Sequence, residues 1–326
     1  MATINDVAAK AGVSTATVSR TLNGKSTVDP VLAARVQAAA AELGYHPNGL
    51  ARNLRRQETA VLALIISDVE NPFFTAIARG VEDIAQTAGY SVVLCNADDN
   101  EEKERRYIDV ALQERVAGVV LSPTGRATNV DRLTERGTPV VAVDRPLLKN
   151  TGDQVLVDTR LAARDATRHL LDGGYRRVAC VSGPPGVRTA EDRLAGYTDA
   201  VGEGNALTRR AEFRAEGGRL AALSLLDGPE PPDALLVGNS TMAIGVLEAL
   251  ASRGLRSGQD VGIVSFDDAP WTTLIDPPLT VVAQPANEVG RVAAELLLAR
   301  IGDSTRKATT TTLQAKLIVR RSSRRD

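Results

Sequence analysis

The chain has 326 residues, room for two or three domains with a sizeable core, and its 39 Lys and Arg nearly cancel 40 Asp and Glu, leaving a net charge of −1. That balance points to no nucleic-acid, membrane-surface or acidic-tail role for the chain as a whole, and the longest apolar run, Ala60 to Ile66, is far below the roughly 18 residues a membrane helix needs. Two cysteines (Cys95, Cys180) and two histidines (His46, His169) exclude a disulfide framework, a CxxC redox pair and a His/Cys-rich metal site; both cysteines lie in apolar runs and read as buried core thiols.

The charge is uneven. Residues 1–60 hold seven basic and four acidic side chains, a net of +3, so the remaining 266 residues carry −4. The N-terminus, MATINDVAAK, has no apolar stretch between a basic start and a cleavage site, so an unexported, cytoplasmic chain is expected. Thr3 can cap a first helix whose third residue is Asp6, with Ile4, Val7, Ala8 and Ala11 on one apolar stripe and Gly12 as its stop. Ser14 can cap a second helix through Leu22 that turns Val18 and Leu22 inward and Thr15, Ala16, Ser19 and Arg20 outward. Short side chains with one Arg suit a helix lying deep in a major groove, where the backbone must approach base edges. Asn23-Gly24 closes that helix, and Asp29-Pro30 opens a third that runs to Leu43 before Gly44. From pattern alone, a three-helix knob that contacts nothing stays open beside a DNA-binding unit.

The run TINDVAAKAGVSTATVSRTLNG from Thr3 to Gly24 closely resembles the helix-turn-helix signature of the LacI/GalR family of bacterial transcriptional regulators, and the likeness continues through Leu43 to Asn48 and over the rest of the chain. The resemblance implies a helix-turn-helix headpiece, a hinge helix and a core like the periplasmic sugar-binding proteins. Carried over by position, Thr15, Ala16 and Arg20 would read bases, Thr3, Ser14, Thr17 and Ser19 would touch phosphates, and Asn23 would join the DNA-binding set. Asn48 to Arg56 is too short to be a stable helix alone, with Leu50, Ala51 and Leu54 on one face and Arg52, Arg55 and Arg56 on the other. A plain linker is one reading. A helix that forms when two copies meet over DNA is the other, with Ala51, Leu54 and Arg55 at the minor groove and Leu54 matching the family's wedge leucine.

After residue 57, short β-branched runs alternate with helical stretches: Val61–Ile66, Ser91–Leu94, Gly118–Leu121, Val140–Val143, Arg177–Val181, Ala234–Val237 and Val261–Ser265. Such alternation implies parallel sheets with crossover helices, and the number of strands fits two doubly wound subdomains better than one. The expected class is an all-α headpiece plus an α/β core of two doubly wound parallel-sheet subdomains, which the resemblance makes periplasmic-binding-protein type I-like. The expected boundaries are 1–46 for the headpiece, 47–57 for hinge helix and linker, 58–159 with 286–312 for the N-subdomain, and 160–285 with 313–326 for the C-subdomain.

Polar residues gather at predicted strand ends, where open α/β sheets place ligands. Asn71 and Pro72 begin a helix, and Phe73 and Phe74, two of the four Phe, follow directly; neighbours on a helix point about 100° apart, so one can be core and the other stack on a ligand, with two core Phe as the other reading. Asp144-Arg145, Asn239 and Asp267 each follow a strand, Arg193 lies in RLAGY, and Gln284 follows Val281–Ala283. Carboxylates, amides, rigid Arg forks and an aromatic face are what polyol recognition needs, although a lone Asp at a strand end is usually a helix cap. By resemblance, Asn71, Phe73, Phe74, Asp144, Arg145, Arg193, Asn239, Asp267 and Gln284 are similar to the ligand set of ribose-binding proteins and ribose-responsive regulators, which implies a pentose, ribose first. The chain departs from the family at Asn239-Ser240 and Asp158-Thr159, where Asn-Asp and Asp-Asn are common.

A nucleotide-using enzyme is disfavoured: Gly202-Glu-Gly204 follows a helical stretch with Leu207 where a third Gly is needed, and no GxxxxGK[ST], GxSxG, HExxH or CxxC occurs. An exported sugar-binding protein would need a signal peptide and no headpiece. The expectation is therefore a sequence-specific repressor, a homodimer on a pseudo-palindromic double-stranded operator, controlled by a small sugar-like effector between the core subdomains. No cofactor, metal or catalytic residue is expected. Arg320–Arg325 reads as a solvated basic tail.

Overall fold

A computed structural model describes residues 2–22, 28–45, 59–125, 128–147 and 152–325. The chain divides into two compact units, Met1–Thr59 and Ala60–Asp326. The hinge-helix expectation, with Ala51, Leu54 and Arg55, lies outside the described residues, as does Asn23.

Among its described residues, three helices build the smaller unit: α1 (Ile4–Ala11), α2 (Thr15–Leu22) and α3 (Pro30–Glu42). Local chemistry sets their ends. The Thr3 backbone N–H and hydroxyl both donate to the Asp6 carboxylate at 2.8 Å, and the Asp6 N–H donates back to the Thr3 hydroxyl, a reciprocal cap. Gly12, at φ 63°, takes the left-handed turn that stops α1, and the Arg35 guanidinium of α3 donates to the Ala11 carbonyl at 2.6 Å, satisfying one of the groups a helix end leaves open. Asp29 caps α3 by accepting from the Val31 and Leu32 N–H groups. Val7, Ala8, Ala11, Val18, Val36, Ala39 and Ala40 close the small core between them.

The larger unit holds two six-stranded sheets. In the first, β1 (Val61–Ile66), β2 (Ser91–Asn96), β3 (Gly118–Leu121), β4 (Val140–Val143), β5 (Asp153–Val157) and β11 (Thr310–Leu313) pair in the order β2-β1-β3-β4-β5-β11, all parallel. In the second, β6 (Val178–Ser182), β7 (Leu207–Arg210), β8 (Ala234–Val237), β9 (Gly262–Phe266), β10 (Thr280–Ala283) and β12 (Lys316–Ile318) repeat the pattern as β7-β6-β8-β9-β10-β12, with β12 antiparallel. In each sheet the strand order reverses beside the first strand, which is the switch point where doubly wound folds open a crevice at the carboxyl ends. β5, β7, β11 and β12 have at most three consecutive apolar residues and are not among the apolar runs picked out in the sequence. Three of them, β7, β11 and β12, lie at sheet edges and are half exposed, so nothing requires them to be apolar throughout.

Helices cover both faces of each sheet. On the first, α4 (Pro72–Thr87) packs beside α11 (Ala286–Gly302) over a core that includes Leu62, Leu64, Val120 and Val141. These two helices approach so closely that a Cβ on Gly80 would stand 2.1 Å from the Asn287 carbonyl oxygen, and one on Gly290 would stand 2.1 Å from that of Ile77. α5 (Glu101–Gln113) and α6 (Asp131–Glu135) cover the opposite face. On the second sheet, α7 (Thr159–Asp172) and α8 (Arg188–Val201) take one face, and α9 (Ala215–Leu226) and α10 (Ser240–Ser252) the other. Cys95 and Cys180 are both buried and free, and burial pushes the Cys180 thiol up to about 12.

The C-terminal segment departs from the solvated tail expected of its composition. Arg320 donates to both carboxylate oxygens of Asp268 at 2.8 Å and to the Leu279 carbonyl at 2.9 Å, while Ser322 and Ser323 are buried against β9 and β10. Arg325 lies 5.1 Å from the centre of the Tyr175 ring and donates to the Gly174 carbonyl. Arg320 and Arg325 find carboxylates and an aromatic face that are distant in sequence, which composition alone does not show, while Arg321, Arg324 and Arg325 keep exposed side chains, as a solvated tail would.

Candidate functional site

Two surfaces collect the residues singled out in the sequence. The first is the outer face of α2. Ser14 caps the helix by accepting from the Thr17 N–H at 3.2 Å, and the two hydroxyls lie 2.9 Å apart. Val18 is fully buried, and this anchors the rotation of the helix. Ser14, Thr15, Ala16 and Arg20 are consequently exposed, with Thr17 and Ser19 half-buried beside them, and Thr3, the cap of α1, is exposed as well. A helix with an N-terminus of small hydroxyl residues and one protruding guanidinium presents backbone N–H groups and short donors to an approaching phosphate, with few atoms to hold it away.

The second surface is a cavity at the carboxyl ends of the two sheets. It is lined by Asn71, Phe73, Phe74, Asp144, Arg145, Arg193, Asn239 and Asp267, eight of the nine residues picked out for the core, and by Asp68, Asp99, Thr189 and Phe213. The ninth, Gln284, stands behind the wall and donates from Nε2 to Asp267 Oδ1 at 2.7 Å; it borders an adjoining groove of about 700 Å3 that shares Phe73 and Asp267.

Each wall residue is held by a specific local device. Asn71 caps α4 by accepting from the Phe73 N–H at 3.0 Å, with Pro72 at the first helical position, and this turns both aromatic rings toward the sheet end. Of the two arrangements open from the sequence, one core and one ligand-facing ring or two core rings, the structure buries both in the core cluster, and both also reach the cavity; their centres are 5.2 Å apart at 75°, an edge-to-face pair. Asn239 caps α10 through the Met242 N–H at 2.7 Å. Asp144 and Asp267 follow β4 and β9 in the left-handed region, at φ 65° and 72°, a conformation uncommon for residues other than glycine, which Asp adopts more readily than most.

The charges are buried and mutually supported. Arg145 donates to Asp99 at 2.8 Å and to the carbonyls of Pro123 and Thr124, and its Nε lies 3.4 Å from Asp144 Oδ2. Arg193 sits with its guanidinium carbon 4.3 Å from the centre of the Phe266 ring and donates to the Gly238 carbonyl at 2.5 Å. Burial raises the Asp144 and Asp267 carboxyls above the usual carboxylate range; Arg145 and Arg193 oppose the rise at Asp144, Arg193 and Gln284 at Asp267. The Nε donors of Arg145 and Arg193 and the Gln284 Oε1 acceptor are buried without a hydrogen-bond partner. Unsatisfied buried polar groups are costly, so a ligand bringing hydroxyl groups to them would be rewarded.

In this conformation the cavity is about 20 Å3, little more than the ~10–15 Å3 that one water occupies on the same measure. Admission of a larger molecule therefore requires the walls to part. Among the wall residues that pattern reading left out, Asp68 stands two residues after the end of β1 and could have been found by the strand-end rule; Phe213 follows β7, a strand too polar to be read, and Asp99 belongs to a turn after β2. Among the described residues no group of three or more His, Cys, Asp or Glu could hold a metal ion, and no helix is long and apolar enough to cross a membrane.

Comparison with known proteins gives two family matches: bacterial regulatory proteins of the lacI family over residues 3–48, and a periplasmic binding protein-like domain over residues 167–323. The ribose operon repressor of Escherichia coli (strain K12) is 36% identical over 314 residues, covering 94% of each chain. The solved lac repressor dimer, bound to operator and the anti-inducer ONPF, superposes with a TM-score of 0.85 at 26% identity over 99% of each chain. A LacI family transcriptional regulator from Enterococcus faecium, solved with bound ribose, gives 0.75 at 25% identity, covering 81% of this chain and 98% of its own.

Proposed function

Because the chain belongs to the lacI family of bacterial regulatory proteins, we propose that it is a transcriptional repressor whose operator affinity is set by a pentose, ribose first, bound between the two sheets of the core. The observation that carries this reading is the convergence of Asp144, Arg145, Asn239 and Asp267, from strand ends far apart in sequence, and of Arg193 from α8, on one cavity beside Phe73 and Phe74. The wall holds four carboxylates (Asp68, Asp99, Asp144, Asp267) against two guanidinium groups, so it favours a neutral polyol over a phosphorylated one. The relative with bound ribose and the ribose operon repressor support the same ligand class.

The subdomains are 58–159 with 286–312 and 160–285 with 313–326, a division that the membership of β11 in the first sheet and β12 in the second supports to within one residue, since β11 runs through Leu313. Thr15, Ala16 and Arg20 read bases; Thr3, Ser14, Thr17 and Ser19 contact phosphates; Asn23, Ala51, Leu54 and Arg55 complete the DNA-binding set. Closure of the subdomains on the effector changes how two copies present their headpieces and hinge segments, and this couples sugar binding to DNA binding reciprocally. The test is a thermal-shift screen of the full chain against pentoses, hexoses and nucleosides, then retention of duplex DNA enriched by the chain from a random pool, with and without the hit. A pentose that raises the melting temperature and changes retention supports the reading. A pentose that binds and leaves retention unchanged overturns it for that sugar.

A further inference from the structure

At the rim of the cavity one side chain crosses from the second half of the core to the first. Arg214 precedes α9 and follows Phe213 of the cavity wall, yet its ion-pair partners all come from the other sheet. Nη1 lies 3.3 Å from Asp68 Oδ2 and 3.0 Å from Glu70 Oε2, both in the loop after β1, and Nη2 pairs closely with Asp98, after β2. Asp98 and Asp99 are consecutive residues in the left-handed region, at φ 58° and 49°. That strained turn aims Asp98 at Arg214 and Asp99 at Arg145 of the cavity, 2.8 Å away. Lys103 also reaches Asp98, at 3.0 Å, but from the same half of the core, so it neutralises charge without bridging the halves.

We propose that Arg214 is a latch across the effector cleft, a positioning residue that touches no ligand and stabilises the closed core by neutralising the acidic rim of Asp68, Glu70 and Asp98. Without it, closure would bring Asp68, Glu70 and Asp98 against the opposite half with no other ion pair to them from that half among the described residues, and Asp68, 6% exposed, would lose its cross-cleft partner. Two consequences follow from the chemistry. Closure depends on salt even when the ligand is uncharged, because the ion pairs that form on closing are half-exposed and screened. Closure is also favoured before any ligand arrives, so the latch sets how much of the ligand's binding energy is spent on moving the halves.

The inference rests on the reading that the halves close on an effector, and its test separates the two. Spin labels at exposed positions of the two halves, Gln86→Cys and Glu248→Cys, report the cleft distance in the full chain without ligand at 50 mM and 500 mM NaCl. The latch predicts a short distance at low salt that lengthens at high salt, a long distance at both salts in Arg214→Ala, and near-normal behaviour in Arg214→Lys. A distance and a salt response unchanged by Arg214→Ala overturn it. D-ribose titration then adds a second readout: about fivefold weaker binding in Arg214→Ala with loss of the salt dependence. Failure of the unmodified chain to bind ribose would count against the ribose reading and leave the distance result to decide the latch.

Discussion

Arg193 and Phe266 form a stacked pair at the floor of the cavity, the guanidinium carbon 4.3 Å from the ring centre, with Gly238 accepting from Nη1 and Asp267 beginning the next turn. The stack fixes the plane of the guanidinium, so its remaining donors point in set directions. Lys has neither the plane nor the fork. Arg193→Lys is expected to weaken D-ribose binding by about 30-fold or more while circular dichroism stays that of the folded chain. Calorimetric titration checks this, and retention of near-normal affinity would remove Arg193 from the binding set.

Arg20 and Ser14 occupy the same exposed face of α2 but carry different expectations. Arg20→Ala should cost roughly 1–3 kcal/mol on the preferred DNA sequence and far less on random duplex, as for a base reader. Ser14→Ala should weaken both alike, as for a phosphate contact that also caps α2 through the Thr17 N–H. Fluorescence anisotropy with both duplexes at several salt concentrations separates the two; equal losses for Arg20→Ala would contradict its role.

Asp153 ties three elements together: Arg300 of α11 donates to it at 2.7 and 3.0 Å, and the Thr309 N–H and hydroxyl donate at 2.8 and 2.9 Å. Burial alone would raise its carboxyl, but the Arg300 and Thr309 hydrogen bonds outweigh burial and hold it below the usual range. A carboxyl with a depressed folded-state pKa contributes stability above its unfolded value, about 3.9, and that contribution is lost as pH falls through the folded value. Asp153→Asn should therefore lower the stability of the core at pH 7 by about 2–3 kcal/mol, with the difference from the parent shrinking below about pH 4. Urea unfolding at pH 7 and at pH 3 checks the sign.

Gly290→Ala would set a methyl 2.1 Å from the Ile77 carbonyl oxygen, and the backbone of α4 cannot give way as a side chain would. An overpacking cost of at least about 2 kcal/mol is expected, a fall of several degrees in melting temperature. Gly302→Ala, in the same helix with nothing within 4 Å, serves as the control and should change little.

What the sequence determined by itself is whatever depends on neighbours along the chain. The Thr3–Asp6 and Asp29 caps, the Gly12 stop and the inward Val18 are decided within a few residues, so the headpiece and its exposed face could be read before any fold was known. The strand-end rule reached Asn71, Asp144, Arg145, Asn239 and Asp267 for the same reason: a buried apolar run announces where a strand stops. Tertiary structure alone decided what depends on partners far away in sequence. Edge strands such as β7 and β11 are half exposed and need no apolar run, so Phe213, placed by β7, could not be seen. Of the C-terminal arginines, Arg320 and Arg325 are held because Asp268, Asp233 and Tyr175 face them. The near-zero net charge with which the sequence opens divides into +3 on residues 1–60 and −4 on the rest by simple counting. That part of the acidic excess forms the rim facing Arg214 follows from the packing of two sheets, because ion pairs 116 to 146 residues apart leave no pattern in the chain.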